Sequence, residues 1–298
     1  MQYYGEITAI ATAFCWAFNS VVFSEAGHRV SSFTVNRVRL YIAIIALIIF
    51  HFIYFGTLFP ISLSGNNYLY LGLSGIIGYV IGDTFLFESF LLIGPRLSML
   101  IMTSAPIFSA ILAWIFLKEH LSFLEVLAMV ITLSGIGWVV SEKKDDEKKS
   151  QKRKILLGVL FATVGSLRHA TGLLFSKLGL QGGISTISAN LIRISAAAIF
   201  VFGFSIISGV FLKDIKKMRD KKALLEIGSG SLVGPVLGVI LSLEAINHTS
   251  IGIASTLMSL SPVILIPVSH YFYKEKITLR TIIGTLVAIL GAAWLFFL

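Results

Sequence analysis

Charged side chains are scarce in this sequence of 298 residues. Asp, Glu, Lys and Arg make up 13% of it, whereas a soluble domain carries roughly 25%. Hydrophobic residues reach 56% and form runs of about 20 residues, the length at which a helix crosses a bilayer core of roughly 30 Å. Backbone groups in lipid must be bonded within their own segment, so these runs are predicted to be helices. The composition therefore indicates an all-α polytopic membrane protein.

Cysteine and the common enzyme motifs are also nearly absent. Cys15 is the single cysteine, which excludes a disulfide within the chain and a cysteine metal cluster. The sequence contains no His-Glu-x-x-His, no Gly-x-Ser-x-Gly and no phosphate loop. The net charge of +9 comes without a basic patch that has interleaved aromatics, which argues against nucleic acid as a partner. We expect no catalytic residue, no metal and no cofactor.

One stretch of the sequence occurs twice. A shift of 156 positions aligns residues 72–142 with 228–298 without a gap. The shift matches residues that chance rarely aligns: Pro106 with Pro262, Trp138 with Trp294, and Lys118-Glu119 with Lys274-Glu275. Such a repeat indicates a tandem duplication. We therefore divide the chain into a first copy, 1–142, a charged linker, 143–154, and a second copy, 155–298.

Hydropathy predicts five membrane spans in each copy. The predicted spans lie near 4–25, 33–55, 69–92, 97–117 and 121–141, then near 155–178, 184–209, 223–247, 250–273 and 277–298. An odd number of spans returns the chain to the opposite side of the membrane, so the second copy is predicted to be inverted. Ten transmembrane helices in two inverted five-helix repeats are typical of secondary transporters, which bind their solute near mid-membrane between the repeats.

Lys and Arg residues are concentrated in the loops that follow odd-numbered helices. Clusters at 143–154 and 213–222 account for most of them. The positive-inside rule therefore predicts that the odd-numbered loops are cytoplasmic and that both termini lie outside. We expect a multi-pass protein of the plasma membrane.

The second half of each copy carries a pattern of a known family. In the first copy it reads Gly94-Pro95-Arg96-Leu97-Ser98 to Pro106, then Lys118-Glu119-His120-Leu121-Ser122 and Gly135. In the second copy it reads Ala245-Ile246-Asn247-His248-Thr249-Ser250 to Pro262, then Lys274-Glu275-Lys276-Ile277-Thr278 and Gly291. This pattern resembles the EamA-type transporters of the drug/metabolite transporter superfamily, over nearly the whole chain. The resemblance implies a fold of two five-helix units and the export of amino acids or other metabolites. It also implies cytoplasmic termini, opposite to the charge pattern.

Polar residues inside the predicted spans are the candidates for the binding site. A charge at the centre of a lone membrane helix costs roughly 2.5–3.5 kcal/mol, so each is expected to face protein or a cavity. The substrate-binding candidates are Trp16, Asn19, Asn36, Arg39, Asp83, Arg168, His169, Asn190, Arg193 and His270.

Asp83 and Arg168 have no charged counterpart in the other copy and lie near the middle of their helices. A residue that is present once indicates an asymmetric role, such as binding one solute. We expect Arg168 to hold an anionic group of the solute, with Asp83 as its counter-ion in the empty state. His169 or Asp83 would relay protons. A buried structural pair is the alternative.

Helix depth predicts two symmetry-related ion pairs, Arg39–Glu88 and Arg193–Glu244. Alternate making and breaking of these pairs would gate the two mouths of the cavity, and static bridges between helices are the alternative. Pro106 and Pro262 are predicted to kink helices 4 and 9, because proline removes a backbone hydrogen bond.

These patterns favour a secondary transporter that works without ATP, by alternating access. The expected cargo is a small polar or amphipathic metabolite, and protons are the candidate coupling ion. An intramembrane enzyme and a non-transporting sensor or scaffold stay open as rival classes. The expected partners are the solute and the lipid bilayer, and the chain would act as a monomer or a homodimer.

Overall fold

The computed structural model describes residues 3–140, 152–273 and 278–298, and within these ranges every regular element is a helix. The α-helices are α1 Tyr4–Val30, α2 Ser32–Phe55, α3 Gly65–Gly75, α4 Asp83–Met102, α5 Ala105–Leu117, α6 Phe123–Val140, α7 Lys152–Gly179, α8 Thr186–Ile207, α9 Phe211–Lys217, α10 Lys221–Ser231, α11 Val239–His248, α12 Ile251–Met258, α13 Ser261–Tyr273 and α14 Leu279–Phe297. Two π-helical segments join α3 to α4 and α10 to α11: the first is Ile76–Gly82 and the second is Leu232–Gly238. Most of the predicted linker, residues 143–151, lies outside the described residues.

Seven helices in the described ranges are long and apolar enough to cross a membrane, by length and composition. They are Tyr4–Val30, Ser32–Phe55, Gly65–Pro95, Leu97–Leu117, Arg153–Gly179, Thr186–Ile207 and Lys221–His248. The third and fourth divide α4, which is kinked at Gly94, where φ is 79°. Three shorter apolar helices are Phe123–Trp138, Ile251–Pro267 and Ile282–Leu295. The all-helical, multi-pass membrane architecture is thereby confirmed, whereas the count of ten spans stays a prediction.

Several elements begin at matching positions in the two predicted copies. The helices α10, α11 and α13 start 156 positions after α3, α4 and α5, and the second π segment starts 156 positions after the first. Both π segments are seven residues long. The local structure between 65 and 117 therefore recurs between 221 and 273. The relative direction of the two copies in the membrane stays a prediction.

The first helix of each copy packs on the middle helices of the other copy. α1 packs on α10, the second π segment, α11 and α12, while α7 packs on α3, the first π segment, α4 and α5. The last helices of the copies, α6 and α14, pack on each other. A side chain at Gly135 would overlap the α14 backbone, and one at Gly291 would overlap Thr132. Because each of these first helices packs on the other copy, the middle of α1 and the middle of α7 lie at the centre of the molecule.

Pro106 and Pro262 do not kink the interior of continuous helices, so that prediction is wrong. In each copy a two-residue turn ends the preceding helix, and a new helix begins just before the proline, at Ala105 in the first copy and at Ser261 in the second. Each proline is therefore the second residue of its helix. In the first turn its missing N–H removes no intrahelical hydrogen bond and its fixed φ angle suits a helix start.

Candidate functional site

A cavity lies where the two copies meet. Its empty volume is about 830 Å³, including the solvent space at its open mouth. Residues of α1, α2, α4, α7, α8, α11 and both π segments line it. Seven of the ten sequence candidates are among the lining residues: Trp16, Asn19, Arg39, Asp83, Arg168, His169 and Arg193. Asn36 and Asn190 lie behind the wall, and the side chain of His270 lies outside the described residues. The cavity therefore receives charged residues from both halves of the chain.

Asp83 lies between two arginines in the cavity. Its Oδ1 accepts a hydrogen bond from Nη2 of Arg168 at 2.7 Å, and its Oδ2 accepts one from Nη2 of Arg39 at 2.5 Å. The expected Asp83–Arg168 contact is thus present. Gly82 makes the contact possible, because a Cβ at this position would overlap the Arg168 guanidinium. A carboxylate held by two guanidinium groups orients both of them.

Arg39 has two acceptors, Asn36 and Asp83, for the N–H groups of its Nε and Nη2. Oδ1 of Asn36 accepts from Nε and Nη2 of Arg39 at 2.9 and 2.7 Å, in addition to the bond to Asp83. The guanidinium carbon also lies 4.9 Å from the Phe87 ring centre and 5.5 Å from that of Tyr79. These contacts satisfy a cation that is 2% exposed.

Asn36-x-x-Arg39 recurs as Asn190-x-x-Arg193 at an offset of 154, which is also the offset between the starts of α2 and α8. Arg193 is thus the counterpart of Arg39, and it lacks such acceptors. Its Nε and Nη1 are buried and have no hydrogen-bond partner among the described residues. Its guanidinium carbon lies 5.3 Å from the ring centre of Tyr79. A desolvated cation–π contact stabilises by about 2 kcal/mol, whereas an unpaired buried charge costs about 3–5 kcal/mol. The ring alone therefore does not offset the burial of Arg193.

The two asparagines form matching hydrogen bonds in the two copies. Nδ2 of Asn36 donates to the carbonyl oxygen of Tyr79 at 3.0 Å, and Nδ2 of Asn190 donates to that of Pro235 at 2.8 Å. Tyr79 and Pro235 are equivalent positions in the two π segments. Wider π turns leave carbonyls without their usual helical donor, and buried carbonyls need one. Asn36 and Asn190 thus support the cavity wall rather than line it.

The predicted ion pairs Arg39–Glu88 and Arg193–Glu244 are not the contacts that form. Glu88 accepts a hydrogen bond from the Ser32 hydroxyl, and Glu244 accepts one from the Thr186 hydroxyl at 2.6 Å. Ser32 and Thr186 are the first residues of α2 and α8. A helix N-terminus carries partial positive charge and attracts a carboxylate. Both glutamates therefore bind a neighbouring helix start, and Asp83 takes the place expected for Glu88.

Trp16, Asn19 and His169 form another part of the lining. The Trp16 and His169 rings meet edge to face with centres 5.0 Å apart. Asn19 packs on Gly234, where any Cβ would overlap its amide. Oδ1 of Asn19 is buried and has no hydrogen-bond partner among the described residues. Trp16 and Asn19 therefore line the same cavity, as their spacing on one helix face predicts.

Tyr79 has a larger place in the site than the sequence suggests. The guanidinium carbons of Arg39 and Arg193 lie 5.5 and 5.3 Å from its ring centre, and its hydroxyl donates to Oδ1 of Asn190 at 2.9 Å. One aromatic side chain thus joins the two halves of the site. The available signal was its position inside the repeated Gly-x-x-x-Gly pattern, where Gly78 and Gly82 flank it.

Sequence reasoning also missed a contact at the end of α7. Nζ of Lys177 lies 2.6 Å from Oε1 of Glu119 and donates to the carbonyl oxygen of Thr249 at 3.0 Å. Oε2 of Glu119 accepts from the backbone N–H of Ile251 at 3.0 Å. The contact joins α7, the loop after α5 and the junction of α11 and α12. The repeated Lys-Glu pair was the signal for it.

Three comparisons place this chain among known proteins. The sequence profile of the EamA-like transporter family matches residues 3–141 and again residues 156–297. An uncharacterized transporter of Clostridium kluyveri is 24% identical over 237 residues, which cover 78% of this chain and 73% of the relative. A solved structure titled only "Crystal structure of protein" superimposes with a TM-score of 0.74 and 15% identity, over 99% of this chain and 98% of the other. That likeness concerns the fold.

Proposed function

This chain belongs to the EamA-like transporter family, and we propose that it is a secondary transporter that exports a small metabolite. The cargo would be an amino acid or a related polar or amphipathic compound that carries an anionic group. Ten spans in two inverted five-helix repeats would alternate the cavity between the two faces of the plasma membrane. Protons are the proposed coupling ion.

One observation carries the proposal: a charged cavity between two copies of one fold. Arg168, Asp83 and Arg39 are in contact at its centre. Charged groups are expensive at membrane depth, and they mark solute and ion pathways in membrane proteins. We propose that Arg168 releases Asp83 when it binds the anionic group of the solute. Asp83 or His169 then exchanges the coupled proton.

The contacts at the two ends of the cavity favour one closed face. Met99 and Met102 line the cavity near the start of the span Leu97–Leu117, while Glu119 follows its end. The span Leu97–Leu117 has 21 residues in two helical pieces, and at a rise of about 1.5 Å per residue it is long enough to place the methionines and Glu119 near opposite faces. The Lys177–Glu119 contact would close the face of the even-numbered loops, and the cavity would open to the other face. By the positive-inside rule the closed face is the outer one.

Purified protein in liposomes distinguishes transport from its rivals. A mixture of amino acids, dicarboxylates, sugar phosphates and nucleobases is loaded inside, and both compartments are analysed by mass spectrometry. A transporter moves a compound across the bilayer unchanged, faster than in protein-free liposomes. Chemical conversion would instead indicate an intramembrane enzyme. Binding without movement would indicate a sensor, and either result would contradict the proposal.

A further inference from the structure

The cavity contains more positive than negative charge. Its lining includes three arginines, Arg39, Arg168 and Arg193, and one carboxylate among the described residues, Asp83. Arginine stays protonated in proteins, so these groups leave an excess of two positive charges. A zwitterionic solute would enter and leave without changing that excess, whereas a solute with two negative charges would neutralise it.

The unused hydrogen-bond donors are on the same side chains. Nε of Arg168 has no partner among the described residues, and the same is true of Nε and Nη1 of Arg193. Both arginines are at least nine-tenths buried, at 10% and 6% exposure. Buried donors of this kind normally have a partner in a folded protein. A guanidinium N–H donates a strong charged hydrogen bond to an oxygen of a carboxylate or a phosphate.

The rest of the lining indicates an organic anion rather than a bare inorganic ion. Leu86, Phe87, Phe90, Met99 and Met102 form an apolar region beside the arginines. Apolar lining with a few convergent polar groups is typical of sites for organic ligands. A simple hydrated ion would gain nothing from this region.

Resting on the proposed function of this same cavity, we propose that the cargo is an organic anion with two negative charges, a phosphate monoester or a dicarboxylate. Arg193 and Arg168 bind its oxygens, and Arg193 is the residue that selects for the second charge. Tyr79 holds the Arg193 guanidinium in place through its ring. Arg193 is present because the arginine position is repeated in the second copy. The position equivalent to Asp83 is Val239, so no carboxylate from that position binds Arg193, and its donors are available to the solute.

Binding is tested with the purified full chain in detergent, by ligand-dependent thermal unfolding at constant ionic strength. The probes are glycerol 3-phosphate, succinate, L-leucine and glycerol. We expect a saturable rise in melting temperature with glycerol 3-phosphate or succinate, and a smaller rise or none with leucine and glycerol. The probe that acts identifies phosphate ester or dicarboxylate as the cargo. If neither dianion raises the melting temperature, or if leucine alone does, the inference is wrong.

Two arginine variants make the test specific. Arg193→Gln is expected to raise the half-saturating concentration of the active dianion by about 10-fold to 100-fold, the value of a lost charged hydrogen-bond pair. Arg37→Gln is the matched control, because Arg37 is paired with Asp214 at 2.5 Å and does not line the cavity. It should lower the melting temperature of the empty protein and leave the half-saturating concentration unchanged. Equal binding by Arg193→Gln and the natural protein would overturn the inference.

Binding is measured in detergent, without a membrane, and flux is measured in liposomes. The two measurements therefore test this inference and the proposed function separately. Leucine flux in liposomes without dianion binding would contradict the dianion and leave transport standing. Dianion binding without flux of the same compound would contradict transport and leave the binding assignment standing.

Discussion

Arg39 and Arg193 occupy equivalent positions in the two copies and have different surroundings. Arg39 binds Asn36 and Asp83. The Asn190 amide oxygen, which would be the counterpart acceptor for Arg193, is occupied by the Tyr79 hydroxyl, and the counterpart of Asp83 is Val239. The difference between Asp83 and Val239, together with the Tyr79 bond to Asn190, thus leaves Arg193 with unpartnered donors, whereas Nε and Nη2 of Arg39 are bonded.

The comparison separates scaffold from function. Two kinds of hydrogen bond recur in both copies and support the fold. One joins Asn36 or Asn190 to a π segment, and the other joins Glu88 or Glu244 to the start of a helix. The contacts of Asp83 and Arg168 occur once. A symmetric fold can be stabilised by symmetric contacts, whereas binding one solute in one orientation requires asymmetric ones.

Removing the unique carboxylate should have the largest effect. Asp83→Asn leaves Arg39 and Arg168 without their counter-ion, and breaking a buried ion pair in this way costs about 3–5 kcal/mol. We expect a large fall in melting temperature in detergent. Asp214→Asn, which breaks the buried pair with Arg37 outside the cavity, is the control. Added dianion should restore stability to Asp83→Asn and not to Asp214→Asn. A melting curve of Asp83→Asn like that of the natural protein would contradict this interpretation.

Gly82 and Gly78 provide a matched pair within one π segment. A methyl group at Gly82 would overlap the Arg168 side chain, while one at Gly78 would lie 3.7 Å from Arg193. Gly82→Ala should cost about 3 kcal/mol, at the upper end of what overpacking costs, and should stop solute flux. Gly78→Ala should melt close to the natural protein. Equal melting temperatures for the two variants would mean that Arg168 moves aside at little cost.

The asparagines test whether the recurring bonds are equivalent. Asn36→Ala removes donors to Tyr79 and Thr84 and the acceptor for Arg39. It should cost about 1–3 kcal/mol, since it leaves buried polar groups unpaired. Asn190→Ala frees no charged group and should fall at the lower end of that range. Denaturant unfolding of both variants measures the difference, and a greater loss in Asn190→Ala would contradict the assigned asymmetry.

The Lys177–Glu119 contact should have the smallest effect on stability. Both side chains are partly exposed, at 26% and 18%, and such pairs stabilise by at most about 1 kcal/mol. Lys177→Met should nevertheless open the closed face. A cysteine at Ser242 in the cavity wall, in a Cys15→Ala background, should then react faster with an impermeant reagent added from the even-loop face. Lys118→Met, on the same loop as Glu119, is the control. Equal labelling rates in the Lys177→Met and Lys118→Met variants would exclude a gating role.

The sequence predicted the repeat and most of the cavity, but not the pairing inside it. Registered glycine, proline and Lys-Glu positions located the two copies, and depth along the helices brought Arg168 to Asp83. Depth alone could not choose between Asp83 and Glu88 as the partner of Arg39. The two acids are five residues apart on one helix and so lie on different faces. The π segment before Asp83 changes the rotation of that helix further, and hydropathy contains no signal for a π segment.

The flux of a dianion through three versions of the protein in liposomes tests directly whether Arg193 binds the cargo. The natural protein and Arg37→Gln should exchange radiolabelled glycerol 3-phosphate or succinate at similar rates. Arg193→Gln, equally folded by its melting curve, should fall about 10-fold or more at the same substrate concentration. Equal flux through Arg193→Gln and Arg37→Gln would contradict the central claim that the free arginine of the second copy binds the cargo.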